Sequence, residues 1–124
     1  MATVEFYQDE SEATEWRWRV KANNNEIIGA STEGYRHESY ARNNLKSFPS
    51  FCLPADVKVA SEDPENSKRP LSFYQDNASE WRWRVTAGNG NITHASSEGY
   101  STKQGAIDNV SGLGAAVKEW DDAG

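Results

Sequence analysis

One cysteine, one methionine, two histidines and four prolines in 124 residues leave several classes of protein without their raw materials. Cys52 stands alone, so no intrachain disulfide is possible, and the composition fits a reducing cytosol, with pairing between chains as the one oxidised option. Between Phe51 and Leu53 it reads as a half-buried apolar residue. No stretch approaches the ~20 consecutive apolar residues of a membrane span. The opening "MATVEFYQDE" lacks the basic-then-apolar order of a secretory signal, and the expected location is the cytoplasm. For a chain at that address, the triplets beginning at Asn77 and Asn91 are chance matches to a glycosylation acceptor.

Positive charge is also scarce. Thirteen basic residues against nineteen acidic ones give a net charge of −6, which excludes a general polyanion binder driven by counterion release. The acidity reads either as ordinary solubility or as adaptation to high salt in a halophilic archaeal host, the second suggested by only six lysines and few leucines and isoleucines.

What the chain does have is itself, twice. "FYQD" at 6–9 returns at 73–76, "EWRWRV" at 15–20 returns at 80–85, and "AS-x-EGY" at 30–35 returns at 95–100. The correspondence continues through Ala41/Ala106, Asn44/Asn109, Leu45/Val110 and Phe48/Leu113. A duplicated supersecondary unit is the direct reading. Residues 61–70, "SEDPENSKRP", are polar and bracketed by proline, which marks a linker between a first repeat over 1–60 and a second over 71–124.

Within each repeat the period is two over 4–9 and 16–20 and over the matching stretches, which predicts antiparallel strands. "NNN" at 23–25 and "GNG" at 88–90 predict hairpin turns of the primed type, centred on Asn24-Asn25 and Asn89-Gly90, before a third strand near 26–32 and 91–97. After "EGY" the spacing becomes helical: Ala106, Val110 and Leu113 share one face, as do Ala41, Leu45 and Phe48. Ser101 and Gln104 form a capping box, whereas Arg36 replaces the serine in the first repeat, leaving that helix start looser by up to ~1 kcal/mol. Pro49 ends the first helix. The alternations "DVKVA" at 56–60 and "AVKEW" at 116–120 predict a short fourth strand in each copy. One unit of ~60 residues has too little core to bury its tryptophans. Two units can do so by lying edge to edge or by exchanging their last strands, and the tandem arrangement favours a monomer with an internal pseudo-dimer over a homodimer.

"FYQD", "EWRWRV" and "EGY" before a helix, in tandem, resemble the YegP-like family of small bacterial and archaeal proteins. The resemblance implies a β3-α-β motif in each half, the halves joined in one sheet with their C-terminal strands swapped, and it implies no particular activity. The fold class is therefore α+β: two tandem β3-α-β repeats in one pseudo-twofold domain with a joint antiparallel sheet and the helices on one face.

Two sets of side chains stand out. Trp16, Trp18, Trp81 and Trp83 alternate in phase with Val20 and Val85 and are the expected structural core, a ligand-stacking platform being the other reading. Arg17, Arg19, Arg82 and Arg84 share the opposite face with Tyr7 and Tyr74, near Glu5, Asp9, Asp76 and Lys21. That face reads as a solvated ladder of cation–π contacts and ion pairs, or as a surface able to stack unpaired bases and hold phosphates. In "EGY" the glycines, Gly34 and Gly99, suit an unusual backbone angle, and Glu33 and Glu98 suit a helix start. His37 and His94 fall at positions held by Thr102 and Gly29 in the other copy. No metal-ligand spacing, nucleophile elbow or phosphate loop is present, and no catalytic residue, metal or cofactor is assigned. The expectation is a small non-enzymatic binding or scaffolding module acting through the outer sheet face. The competing class is an enzyme or small-ligand binder with Glu33, Glu98 and His37 converging where the repeats meet.

Overall fold

The computed structural model describes residues 2–63 and 69–123. The order is β1 (Thr3–Gln8), β2 (Trp16–Lys21), β3 (Ile27–Ala30), α1 (Glu38–Ser47), a 3₁₀ turn (Phe48–Phe51), α2 (Pro54–Glu62), β4 (Leu71–Gln75), β5 (Trp81–Thr86), β6 (Ile92–Ala95) and α3 (Lys103–Ala123). Three strands and then helices, repeated, make an α+β fold of duplicated units. α2 runs through Glu62, and residues 64–68 of the expected linker lie outside the described residues.

Each repeat forms its own antiparallel meander, in the orders β1-β2-β3 and β4-β5-β6. The registers coincide: Phe6 faces Trp18 and Phe73 faces Trp83, Glu5 faces Arg19 and Ser72 faces Arg84. One face of each sheet is thereby committed to Trp18 and Val20, or Trp83 and Val85, all buried, and the other face to the arginines. The hairpins differ from the primed two-residue form. Only the second residue of each expected pair has positive φ, Asn25 at 68° and Gly90 at 87°. The N–H groups of Asn25 and Gly90 donate to Ala22 and Ala87, and the register shifts at Val20/Lys21 and Val85/Thr86, which is the three-residue loop with its bulge. Asn24 and Asn89 favour it by accepting, through Oδ1, the N–H two residues on, at 3.1 and 3.0 Å.

The helix caps sit one residue later than the capping box predicted. Thr102 Oγ1 accepts the N–H of Gly105 at 3.0 Å, while His37, its counterpart, makes no side-chain cap bond. The first helix is indeed the one without a cap, but the reason is His37 rather than Arg36.

The expected fourth strands at 56–60 and 116–120 are helical. Both windows are too short to separate period two from helical spacing. Pro54 occupies a first-turn position of α2, where its missing N–H leaves no bond unmade. Val57 and Ala60, then Leu113, Val117 and Trp120, bury at spacings of three and four. Without fourth strands to bridge them, the two meanders remain separate sheets rather than one joint sheet. Pro49 and Pro54 break the first repeat into α1, a 3₁₀ turn and α2, whereas the second repeat lacks proline there and continues as one 21-residue helix.

The ends of these helices still cross between halves. α1 packs on β2 and α3 on β5, each on its own sheet, but α2 packs on β4 of the second repeat. Trp120 near the end of α3 returns to β1, its ring 5.7 Å from that of Phe6. The exchange of C-terminal elements is thus made by helices and not by strands. One continuous core results, in which Phe48 of the first repeat lies 5.3 Å from the ring of Trp83 in the second. Fully burying each large apolar side chain contributes about 1.5–3 kcal/mol.

Candidate functional site

The outer faces of the two meanders carry the four arginines and two tyrosines of the second set, Arg17, Arg19, Arg82, Arg84, Tyr7 and Tyr74. In the first sheet Arg17 sits opposite Tyr7, and Arg19 opposite Glu5. Arg19 donates its Nε–H to Glu5 at 2.7 Å and lies diagonally over Tyr7, its guanidinium carbon 4.6 Å from the ring centre. Lys21 adds a second cation 3.2 Å from the same carboxylate. Glu5 is held below the ordinary carboxylate range by its bond to Arg19 and then by Lys21. In the second sheet Arg84 lies 4.4 Å from the centre of Tyr74, with Ser72 where Glu5 stands in the first.

Arg17 and Arg82 are fixed from the loop between the first two strands of each repeat. Asp9 Oδ2 accepts Arg17 Nε–H at 2.9 Å while Oδ1 accepts the N–H groups of Ser11 and Glu15 and the Ser11 hydroxyl. Asp76 does the same for Arg82 at 2.7 Å and for the N–H groups of Ala78 and Glu80. One carboxylate thus closes the loop and aims an arginine. The Ser11 hydroxyl and then Arg17 bring the Asp9 carboxyl down to about 2; Asp76 is lowered by Arg82 first and then by the Glu80 N–H. In these pairs Arg17, Arg19 and Arg82 bond through Nε, so the terminal N–H groups of each fork are directed to solvent or to a further acceptor. The side chains of Arg17, Arg19 and Arg82 are each about one-third exposed.

The tryptophans divide. Trp18 and Trp83 are sealed in the core, and Trp16 and Trp81 are half-buried, each joined by a two-way backbone bridge to Tyr35 or Tyr100 of its own "EGY". The glycines of that motif serve close approach rather than an unusual angle. A Cβ on Gly34 would meet the Glu15 Cβ at 2.6 Å, and one on Gly99 the Glu80 Cβ at 2.8 Å; neither glycine has positive φ.

The meeting line of the repeats is occupied by other residues than Glu33, Glu98 and His37. Those three are exposed. Glu33 helps raise Tyr35 and Glu98 helps raise Tyr100, in each case secondary to the burial of the phenol. His37 packs edge-on against Tyr40. Between the sheets stand two reciprocal asparagine clamps. Asn44 accepts Trp18 Nε1–H at 2.8 Å and donates to the Thr93 carbonyl of β6 at 3.2 Å. Asn109 accepts Trp83 Nε1–H at 2.7 Å and donates to the Ile28 carbonyl of β3 at 3.0 Å. Each satisfies a buried indole and an edge-strand carbonyl of the opposite sheet at once. The recurrence of Asn44 and Asn109 on otherwise apolar helix faces was the sequence signal for them.

His94 fills the same seam, buried, its Nε2 2.8 Å from the Asn44 carbonyl and its Nδ1 3.0 Å from the Thr93 hydroxyl. Burial lowers its pKa, opposed by the bond to Asn44. Burial, with Asp56 adding to it, raises the Cys52 thiol to about 12, which leaves it protonated and unreactive. Among the described residues no cluster of histidine, cysteine, aspartate or glutamate could hold a metal ion, and no helix is long and apolar enough to cross a membrane.

Solved structures share this fold. The solution structure of a UPF0339 protein from Shewanella oneidensis superposes with a TM-score of 0.66 at 18% identity, over 94% of this chain and 85% of that one. The solution structure of the protein of unknown function yegP from E. coli gives 0.64 at 20% identity, over 94% and 88%. No curated protein matches the sequence. The family model described as "Domain of unknown function (DUF1508)" matches twice, at residues 11–47 and 76–112. Each match runs from the loop ahead of the Trp-Arg-Trp-Arg strand into the helix that carries the asparagine clamp, so the chain belongs to the DUF1508 family as a tandem, YegP-like pair of repeats.

Proposed function

We propose that the protein is a small, non-enzymatic cytoplasmic module that binds a partner through the outer faces of its two sheets. The observation that carries this reading is the ordering of the arginines. Arg17, Arg19 and Arg82 are fixed through Nε by carboxylates, and Arg19 and Arg84 are stacked on tyrosines. Arginine and tyrosine are the side chains that dominate binding energy at interfaces, and little rotamer entropy remains to be lost when they are already held. The inner faces, by contrast, pack into the core. A partner presenting carboxylates or planar groups suits the terminal N–H groups of Arg17, Arg19 and Arg82, which pair with their carboxylates through Nε. The lone buried thiol accords with a reducing compartment, and the exchanged helices make a monomer the expected species.

The test is titration with a glutamate-rich peptide, followed through the Nε–Hε NMR signals of the arginines. Saturable shifts at Arg17, Arg19, Arg82 and Arg84, abolished in the variant with all four changed to alanine, support the reading. Unmoved signals refute it for acidic peptides. The two tyrosine–arginine stacks also suit unpaired bases, and the same titration with a single-stranded uridine dodecamer separates that reading: loss of its binding on raising salt, with the peptide inert, assigns the face to nucleic acid. The carboxylates interleaved with the arginines and the net charge of −6 favour the protein partner.

A further inference from the structure

We infer that the groove between α2 and α3, a place distinct from the outer sheet faces, binds a free medium-chain carboxylate. It encloses about 550 Å³, which lies within the ~300–1,000 Å³ of small-molecule sites. Its walls are apolar, with Val57 from α2 and Ile107 and Gly114 from α3, and Leu53 at its lip is 53% exposed. Among the described residues, the charged side chains lining it are Lys58 and Lys118. Both are exposed and both are basic, in a chain whose net charge is −6. Lys118 is engaged by Asp122 in an exposed pair one helical turn apart, a pairing too weak to withhold the ammonium from a competing anion. An aliphatic chain against Val57 and Ile107, with its anionic head at the lysine-bearing rim, satisfies both features of the groove: apolar contact supplies affinity and the ammonium groups select the sign of the head.

The first half of the molecule shows what an unfilled position of this kind otherwise receives. Ile107 occupies in α3 the place of Arg42 in α1. Arg42 packs against the neighbouring rings of Phe6 and Trp120, its guanidinium carbon 4.4 and 5.6 Å from their centres. The sequence of α2, PADVKVASE, has no aromatic side chain to cover Ile107 in the same way. The groove is the space left by that difference between the repeats.

The test uses the full chain labelled at its methyl groups and titrated with decanoate below its micelle concentration. The expected result is saturable shifts centred on Leu53, Val57 and Ile107, weakened at least tenfold in K58E/K118E and absent in Ala115→Trp, which fills the groove from an exposed helix position. Decylamine, with the same chain and opposite charge, is expected not to bind. If Ala115→Trp does not fold, K58E/K118E decides alone, because both lysines are exposed. Equal binding of decylamine, shifts centred instead on the methyls of Ile28 and Ala116, unchanged affinity in K58E/K118E, or no saturation overturns the inference. It is equally overturned if the groove methyls shift with protein concentration alone and sedimentation shows a dimer, which makes the occupant a second copy. Saturation by an acidic amphipathic peptide with decanoate inert makes it a protein helix, and response only to anionic lipid vesicles makes it a membrane surface.

Discussion

Replacing Gly114 by alanine tests how tightly α3 is laid over the proline-rich turn. A Cβ at that position would lie 2.4 Å from Cys52 Sγ and 3.5 Å from Cys52 Cβ. Cys52 is 8% exposed and its Sγ–H donates to the Phe48 carbonyl at 3.3 Å, so turning the sulfur aside into the groove it borders gives up that bond and its buried contacts. Overpacking of this kind costs about 1–3 kcal/mol, while glycine to alanine within a helix returns about 1 kcal/mol. G114A is therefore expected to lose roughly 0–2 kcal/mol. C52A alone removes one buried atom and its contacts, for about 1 kcal/mol. In C52A/G114A the clash is gone, the new methyl group enters the space vacated by sulfur, and the helix gain remains, so stability returns to within about 0.5 kcal/mol of wild type. The coupling between the two changes is then about 2 kcal/mol in the stabilising direction, or several degrees in melting temperature for a domain of this size. Urea denaturation of the four proteins measures it. Additivity of the two single effects would refute the packing argument, because it would mean that the sulfur and the glycine do not share one space.

Three further outcomes are expected. N44A removes the amide that accepts Trp18 Nε1–H and donates to the Thr93 carbonyl and is expected to lose about 2–4 kcal/mol, with N109A matching it through Trp83 and Ile28; a loss under about 0.5 kcal/mol by calorimetry would show that water replaces the amides. His94 has its folded pKa lowered by burial, so between that value and its unfolded pKa of about 6.5 the unfolded chain binds more protons: stability is full above about pH 6.5 and falls as pH drops through the folded pKa, a slope that His94→Asn is expected to flatten and that denaturation curves at stepped pH reveal. The carboxylates Asp9 and Asp76 lose their contribution only at lower pH, toward the lowered values of their folded forms. Finally, His37→Ser supplies the side-chain cap that α1 lacks and is expected to stabilise the protein by about 0.5–1 kcal/mol, and T102A to destabilise it by about 1 kcal/mol; thermal melts of both variants would show the opposite signs.

The strand half of the fold was legible because it is written in short-range pattern. Trp-Arg-Trp-Arg-Val assigns one face to the core and one to solvent with no ambiguity of period, and both copies do the same. The helical half was less so. "DVKVA" satisfies period two over five residues and helical spacing equally well, and the deciding information, Pro54 at the helix start and the sheet of the opposite repeat as a surface to cover, is partly tertiary. The arginine ladder was visible from alternation alone, down to its tyrosine and carboxylate neighbours. The asparagine clamps needed knowledge of which edge strand passes each helix, and His94 was misleading because its counterpart is glycine: Gly29 makes room for Leu113, whose side-chain carbon would lie 2.6 Å from an added Cβ.

The crossing of α2 onto β4 bears on how the molecule responds to a break in its chain. A protease cut between the repeats would not release two modules, since the leading fragment would still hold a helix against the trailing fragment's strands, and Trp120 would still clasp β1 from the other side. The severed pieces would co-elute and melt together. A leading fragment made alone would carry a helix with nowhere to lie, and its natural remedy is to trade that helix with a twin.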